Sequence, residues 1–227
     1  MRLIFVRHGE PDYGNDCLTA NGVEQAKCTA ERLRGENIKA IYSSPMGRAV
    51  ETASFTADMY GLDVKILDFM HEIDWGGSDI ESNGHPWTLA WRFLAENKGY
   101  ISGDEWSGHR YFKDNICMRY YSMISEKFDG FLESFGIVRR DGLYVQNGVQ
   151  DDTIALFAHG GSGAVMFSHL LGLPFPFVLT SLVYGVCSVS AVEFVPEDGG
   201  IIIPRLSLFN DMGHLSSVRA ERLHFEK

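Results

Sequence analysis

The sequence contains no apolar run that approaches the roughly 20 residues needed by a membrane-spanning helix. Its first apolar run, residues 3–6, ends in Arg-His and not at a small-residue cleavage site, so it does not have the form of a secretory signal. These two absences argue against a membrane association and lead us to expect a cytoplasmic protein.

Cysteine and positive charge are both scarce. The four cysteines (Cys17, Cys28, Cys117 and Cys187) form no Cys-x-x-Cys pair, which argues against a zinc site and indicates reduced thiols. The chain has 20 Lys and Arg against 30 Asp and Glu, a formal net charge of −10. Proteins that bind nucleic acid usually carry a basic face, so we expect no such partner. A small anion could still bind where the few cations are concentrated.

The composition is that of an ordinary globular protein. With 227 residues, 45% hydrophobic and 22% charged, the chain is long enough for one large domain with an insertion. The first third predicts strands at residues 3–6, 40–43 and 64–67, a helix capped by Thr19, and a second helix that begins at Pro45 and ends at Gly61. This alternation favours a parallel sheet with crossover helices.

The middle of the chain differs in composition and in its predicted elements. All four tryptophans lie between residues 75 and 106, a long helix is predicted at about 114–135, and Asp141-Gly142 has the form of a hairpin turn. We interpret residues 73–152 as a mainly helical insertion that caps the rim of the sheet. The α/β pattern then resumes, with strands predicted at 153–158, 188–195 and 201–210 and a helix ending at Leu171. The fold prediction is one domain, residues 1–227, with three α/β/α layers, a mostly parallel central sheet and helices on both faces.

Cationic and imidazole side chains follow three of the predicted strands. Arg7 and His8 end the first strand, Arg48 lies in the first turn of the helix after the second, and His159 follows the strand at 153–158. The carboxyl ends of parallel strands meet at one edge of a sheet, so these four side chains should converge. Helix N-termini at the same edge present backbone N–H groups, and guanidinium groups bind phosphate oxygens in pairs. The pattern predicts a site for a phosphate group.

A histidine in such a site can be the nucleophile of phosphoryl transfer, through a covalent intermediate. Neighbouring arginines should lower the pKa of His8 and keep its ring neutral. The leaving alcohol then needs a proton, and Glu72, after the third strand, is the best candidate for the general acid, with Asp74 as the rival.

These residues fall in motifs that resemble the histidine phosphatase superfamily, which includes the phosphoglycerate mutase-like enzymes. The motifs are Arg7-His8-Gly9-Glu10, Leu18-Thr19-x-x-Gly22-x-x-Gln25-Ala26, Ser43-Ser44-Pro45-x-x-Arg48-Ala49-x-Glu51-Thr52-Ala53, Glu72-x-x-Trp75-Gly76, His159-Gly160-Gly161, Asn210 and His214-Leu215. They cover the chain from end to end in the order of that family, and together they are highly specific.

The resemblance implies a set of roles. His8 would be the phosphorylated nucleophile and Glu72 the proton donor, with no metal or other cofactor. Arg7, Arg48 and His159 would form the phosphate pocket. Gly160 and Asn15 are further candidates for substrate binding, although Asn15 lies one residue farther from His8 than the family's phosphate-contacting Asn.

Departures from the mutase pattern favour a phosphatase. Only residues 11–17 separate the first two motifs, without an Arg-x-x-Gly-Trp sequence, and the insertion lacks the mutases' arginine-pair, proline-rich pattern. Pro11 also replaces the usual Ser or Thr. We therefore expect a metal-independent, histidine acid phosphatase-type enzyme that hydrolyses a small phosphorylated metabolite. The alternatives are a mutase-type isomerase and a non-catalytic module that binds phosphorylated ligands.

The cap should set specificity. Trp87, Trp91, Trp106 and Tyr111 would suit a bulky alcohol, but packing of the cap is the interpretation that we favour for them.

Overall fold

The central sheet and its helices are seen in a computed structural model that describes residues 1–76, 84–98, 103–148 and 151–218. The strands are β1 (Arg2–Arg7), β2 (Pro11–Asp12), β3 (Cys17–Leu18), β4 (Ile38–Ser43), β5 (Val64–Ile66), β6 (Ile137–Arg140), β7 (Leu143–Gln146), β8 (Thr153–Ala158), β9 (Val189–Glu193), β10 (Ile201–Ile202) and β11 (Arg205–Asp211). The helices are α1 (Ala20–Leu33), α2 (Gly47–Tyr60), α3 (Pro86–Glu96), α4 (Cys117–Glu133), α5 (Gly160–Leu171) and α6 (Phe175–Ser181).

Six strands form the central sheet, in the order β11-β9-β1-β8-β4-β5. Strand β9 runs antiparallel to both of its neighbours, and the other pairings are parallel. Residues 3–6 of β1 are fully buried, as expected for a continuous apolar strand that is covered on both faces. The predicted mostly parallel sheet is confirmed.

Helices cover both faces of this sheet. On one face, Ile4 and Val6 of β1 pack with Leu33 of α1 and Ala53 of α2. On the other face, Leu3 and Phe5 share a core with Ile124, Phe128 and Leu132 of α4 and with Val165 and Phe167 of α5. The predicted three-layer α/β/α arrangement is therefore confirmed.

The helix starts are only partly as predicted. The side chain of Thr19 accepts a hydrogen bond from Gly22 N (3.0 Å) and caps α1, as expected. Helix α2 begins at Gly47 and not at Pro45, which corrects the prediction by two residues. The cause is tertiary, because the first N–H of the helix, at Gly47, is held by the carboxylate of Asp16 (2.7 Å). Gly61 ends α2 in the left-handed region (φ 62°), as predicted.

The segment predicted as a cap contributes α3, α4 and the β6–β7 hairpin, whose turn is Asp141-Gly142 with positive φ at both residues. Helix α4 packs against α5 and on a face of the sheet, so this part of the segment belongs to the main core. A cap over the rim stays a prediction, since residues 77–83, 99–102 and 149–150 of the segment lie outside the described residues.

The strand predicted at residues 201–210 is two strands in the structure. Strand β10 pairs with β7 and β11 pairs with β9, with Pro204 between them. Proline has no N–H to donate to a ladder, which explains a break at this position. None of the helices in the described part of the chain is long and apolar enough to span a membrane.

Candidate active site

Two neighbouring strands end side by side at the rim of the sheet. Strands β1 and β8 pair in parallel with Arg7 opposite Ala158, and His8 N donates to Ala158 O (2.9 Å). The residues that follow the strands, His8 and His159, therefore face each other, with ring centroids 5.1 Å apart. Both rings are buried, with exposed fractions of 1% and 0%.

His8 is held in one tautomer by its own loop. Its Nδ1 lies 2.7 Å from Gly9 O, and a carbonyl oxygen can only accept, so Nδ1 carries the proton and Nε2 is unprotonated, with a lone pair that accepts a long hydrogen bond from Arg48 Nε. Burial, together with the charges of Arg7 and Arg48, lowers the pKa of His8 to about 3. The ring is therefore neutral at pH 7, and Nε2 can act as a nucleophile.

Arg48 brings a guanidinium to His8 from the first turn of α2. Its Nε lies 3.4 Å from His8 Nε2, and only 5% of the residue is exposed. Its Nη1 donates to Asp16 Oδ1 (2.5 Å), and its Nη2 donates to the soft sulfur of Met46 (3.4 Å). The Nε–Nη2 edge of the guanidinium is thus the edge available to an anion beside His8.

Arg7 approaches from the end of β1. Its Nη1 donates to Tyr184 O (2.9 Å), and its guanidinium lies beside Gly160, where a Cβ would be 3.6 Å from Cζ. Its Nε is buried and has no hydrogen-bond partner among the residues that the structure describes. A buried donor without a partner is costly, so this N–H is suited to an anion that enters the site.

His159 is the residue that precedes α5, and its ring is held by Ser44, whose Oγ lies 2.7 Å from Nε2. Ser44 Oγ also accepts from Met46 N (3.2 Å), so its own proton can be donated to His159. The proton of His159 then resides on Nδ1, which is buried and unpartnered within the described ranges. Burial and the nearby His8 and arginines lower the pKa of His159, so the ring is a neutral donor for an anion.

Glu72 lies against the N-terminus of α5. Its Oε1 accepts from Gly161 N (3.0 Å) and Ser162 N (3.1 Å), and its Oε2 is 3.3 Å from Gly161 N. A Cβ on Gly161 would lie 2.6 Å from Oε1, so only glycine permits this approach. The rival acid, Asp74, accepts instead from Tyr120 OH (2.5 Å) in an exposed position. Of the two candidates, Glu72 is the one beside His159.

Asn15 and Pro11 lie in the short β2–β3 hairpin. The side chain of Asn15 is exposed and donates to Asp12 Oδ2 (2.8 Å), so it is turned toward its own loop and not toward Arg7 or Arg48. Pro11 pairs with Leu18 in the two-residue ladder of the hairpin. Gly160, by contrast, is at the site, where its carbonyl accepts from Tyr184 OH (2.5 Å).

The sequence did not indicate the contacts that four supporting residues make in the site. Asp16 binds Arg48, Ser44 binds His159, Thr52 Oγ1 accepts from Gly9 N (3.0 Å), and Tyr184 contacts both Arg7 and Gly160. Ser44 and Thr52 fall in a recognised motif, but no pattern indicates what their hydroxyls bind. Asp16 and Tyr184 lie in loops, where polar residues are common.

Two of the aromatic residues of the insertion are packing residues. Trp106 and Tyr111 are 3% and 4% exposed and belong to the main core. Trp87 stacks on His85 (centroids 4.6 Å apart), and Trp91 is 64% exposed on α3. The packing interpretation therefore fits Trp106 and Tyr111.

The assembled side chains make a buried pocket with two guanidiniums and two neutral imidazoles around one point of the rim. Such a pocket is suited to a phosphate group, with His8 Nε2 as the attacking atom. No group of three or more His, Cys, Asp or Glu side chains in the described parts of the chain is arranged to hold a metal ion.

Comparison with protein families gives one match, over residues 3–100, to the model of the histidine phosphatase superfamily (branch 1). The matched range contains Arg7, His8, Arg48 and Glu72, and His159 lies beyond it.

Curated relatives include mutases and a phosphatase. The 2,3-bisphosphoglycerate-dependent phosphoglycerate mutase of Thermoplasma acidophilum is 39% identical over 83 residues, 32% of this chain and 42% of that protein. Phosphoserine phosphatase 1 of Hydrogenobacter thermophilus is 34% identical over 93 residues, 36% of this chain and 44% of that protein. The match thus spans less than half the length of these two relatives. A probable phosphoglycerate mutase of Yersinia enterocolitica is 29% identical over 206 residues, 86% of this chain and 85% of that protein.

Solved structures share the fold over nearly the whole chain. Phosphoserine phosphatase from Entamoeba histolytica in complex with 3-phosphoglyceric acid has a TM-score of 0.64 at 22% identity, covering 94% of this chain and 98% of that one. A mycobacterial glucosyl-3-phosphoglycerate phosphatase in complex with inorganic phosphate also has a TM-score of 0.64 at 22% identity, covering 95% and 99%. At this identity the likeness shows the fold alone.

Proposed function

We propose that this chain is a member of the histidine phosphatase superfamily, whose model matches residues 3–100, and that it is a metal-independent phosphomonoester hydrolase with a phosphohistidine intermediate on His8. The substrate that we propose is a small phosphorylated metabolite, and the proposed place of action is the cytoplasm. The observation that carries the proposal is the state of the His8 ring, which is buried, neutral and bonded through Nδ1, so that Nε2 is presented as a nucleophile.

In the first step, His8 Nε2 attacks phosphorus and the bond from phosphorus to the alcohol oxygen breaks. The non-bridging oxygens would take up the donors that are unpartnered or weakly partnered in the described structure: Arg7 Nε, the Nε–Nη2 edge of Arg48, and His159 Nδ1. Fixed donors aimed at the reacting phosphoryl group stabilise its transition state without reorganisation.

Glu72 is the proposed proton donor to the departing oxygen. Its Oε1 is occupied by three backbone N–H groups, whereas Oε2 has a single longer contact, so Oε2 is the oxygen that can carry and give the proton. In the second step, a water attacks the phosphohistidine and gives its proton to the Glu72 carboxylate. The bond from Nε2 to phosphorus breaks, and inorganic phosphate and the resting enzyme are regenerated.

A mutase-type isomerase is the second candidate, because the relative matched over 85% of its length is a probable phosphoglycerate mutase. A mutase would need the same His8 but would return the phosphoryl group to a second hydroxyl and not to water. The non-catalytic module has less support, since a binding protein has no need of an unprotonated Nε2 on His8 or of an acid at the start of α5.

One assay distinguishes the three functions. The protein is incubated in EDTA with p-nitrophenyl phosphate, and in parallel with 3-phosphoglycerate plus 2,3-bisphosphoglycerate. We expect release of phosphate that His8→Ala abolishes. Interconversion of phosphoglycerates without net release of phosphate would favour the mutase, and no turnover across a broad panel of phosphomonoesters would favour the binding module.

A further inference from the structure

The β2–β3 hairpin lies beside the phosphate pocket. A carboxylate of this hairpin binds one of the two arginines of the pocket. Asp16, in the turn of this hairpin, accepts from Arg48 Nη1 through Oδ1 (2.5 Å) and from Gly47 N through Oδ2 (2.7 Å). The backbone of Asp16 has a positive φ of 49°, and a Cβ on Gly47 would lie 2.2 Å from Asp16 O. The turn is therefore fitted closely to the start of α2.

Asp16 is also the most exposed residue of this cluster. Arg48, His8 and His159 are almost completely buried, whereas 42% of the Asp16 side chain is exposed. The carboxylate thus lies between a buried guanidinium and solvent. A phosphate bound at Arg48 would have its alcohol on this open side, within several ångströms of Asp16.

The rest of the hairpin adds no positive charge. Residues 9–26 contain no Lys or Arg, and the charged side chains of the hairpin are Asp12 and Asp16. Tyr13, the first residue of the turn, is 69% exposed, and its ring lies 5.4 Å from Arg48 Cζ. On this side, the mouth of the pocket offers a carboxylate and an aromatic surface to the alcohol.

We propose that Asp16 makes the pocket selective for phosphomonoesters whose alcohol carries no second negative charge. The inference rests on the phosphatase function proposed above. Asp16 occupies the Nη1 of Arg48, which a substrate carboxylate or second phosphate would otherwise use, and repels such a group. A neutral or cationic alcohol meets no repulsion and can lie against Tyr13.

A pair of substrates of nearly the same shape tests the effect of charge: 4-carboxyphenyl phosphate and its neutral amide, 4-carbamoylphenyl phosphate. The change in their ratio on mutation cancels the difference between the two leaving groups. We expect the wild-type enzyme to have the higher kcat/KM for the amide. Asp16→Asn should reduce the ratio of the two kcat/KM values, amide over carboxylate, by about fivefold, the size expected for unit charges about 4 Å apart that are screened by bulk water.

The control is Asp58→Asn, which removes the same charge from the exposed last turn of α2. Ten residues of helix place it about 15 Å along the axis from Arg48, where the charge is largely screened. This variant should leave the ratio unchanged. The effect of Asp16 should also shrink in high salt, and Asp16→Glu, which keeps the charge, should retain the preference for the amide.

Several results would overturn the inference. A wild-type enzyme that hydrolyses the carboxylate as well as the amide contradicts it, as does an unchanged ratio in Asp16→Asn. If Asp16→Asn is inactive on both esters because Arg48 is misplaced, the wild-type salt series decides: a ratio that narrows with salt supports the inference, and a constant ratio contradicts it. A wild-type protein inactive on both esters contradicts the phosphatase function itself.

Discussion

The ends of β1 and β8 look alike in sequence and differ in what they do. Each strand delivers a His-Gly pair to the same rim, and the two buried rings lie next to each other with their planes tilted by 59°. After His8 the chain continues as a loop, so Gly9 O is open to Nδ1. After His159 the chain becomes α5, and the ring is fixed instead through Nε2 by Ser44.

In the proposed mechanism, this difference gives two identical side chains opposite roles. The hydrogen bond to Gly9 leaves a lone pair on Nε2 of His8, which is the property of a nucleophile. The hydrogen bond from Ser44 leaves a proton on Nδ1 of His159, which is the property of a donor to an anion. The partner of each ring sets its chemistry, and the predictions below test that assignment.

The largest effect is expected for His8→Ala. Removing the nucleophile should lower kcat for p-nitrophenyl phosphate by about 10⁴-fold or more, because the donors that remain can bind phosphate but cannot form the covalent intermediate. The measurement is steady-state release of phosphate, together with trapping of phosphoenzyme in alkali. A variant that keeps more than a small fraction of the activity would contradict the assignment of His8 as the nucleophile, because His8 would then be a binding residue like His159.

His159→Ala should have a smaller effect of another kind. Loss of one donor to the transferring phosphoryl group should lower kcat by about 10²- to 10³-fold. Phosphoenzyme on His8 should still accumulate in rapid-quench experiments, more slowly than in the wild type. Absence of any phosphoenzyme in this variant, with a folded protein by circular dichroism, would show that the two histidines act as one unit.

Glu72→Gln tests the acid that lies on the His159 side of the pocket. The amide cannot give a proton, so kcat for alkyl phosphates should fall by about 10²-fold, and much less for aryl phosphates with good leaving groups. Asp74→Asn is the matched control and should leave both rates near the wild-type values, because Asp74 is engaged with Tyr120. Equal losses on alkyl and aryl esters would exclude Glu72 as the donor.

The smallest effect is on the free energy of unfolding. It should fall with decreasing pH because of both His8 and His159. The pKa of His8 is lowered to about 3 in the folded protein, against about 6.5 when unfolded, so the unfolded state binds more protons between these values. The stabilisation from keeping His8 neutral is therefore complete above about pH 6.5 and is lost as pH falls toward 3. The loss is at most about 1.4 kcal/mol per pH unit.

The measurement is the free energy of unfolding in urea at several pH values between 5 and 7. His8→Asn should lose less stability than the wild type as pH falls, and His159→Asn should behave in the same way, because the pKa of His159 is also lowered. A difference between variant and wild type that is independent of pH would contradict a neutral buried ring.

More of the fold than of the site could be predicted from the sequence. Apolar runs and helix caps are local, which is why β1, β8 and the Thr19 cap were predicted where the structure has them. The start of α2 was not predicted correctly, because the hydrogen bond from Gly47 N to Asp16 joins residues of different elements. A boundary that depends on tertiary contacts has no local signal.

The same reasoning applies to the site. Strand ends predicted that Arg7, His8, Arg48 and His159 would meet, and the structure brings them together. The contact of Glu72 with α5 joins residues 89 and 90 positions apart, and that of Tyr184 with Arg7 joins residues 177 apart. Which carbonyl, carboxylate or hydroxyl a side chain binds depends on packing, so Asp16, Ser44 and Tyr184 were missed and Asn15 lies turned away toward Asp12.

The position of β1 also has a consequence for biosynthesis. Its two neighbours in the sheet are β8 and β9, which begin at Thr153 and Val189. During translation β1 therefore has no sheet partner on either edge until β8 and β9 have been synthesised. An apolar strand with open edges is prone to aggregation, and contacts so distant in sequence form slowly. The nascent chain should depend on chaperones over this interval, and no catalytic centre can exist on the ribosome before most of the protein has been synthesised.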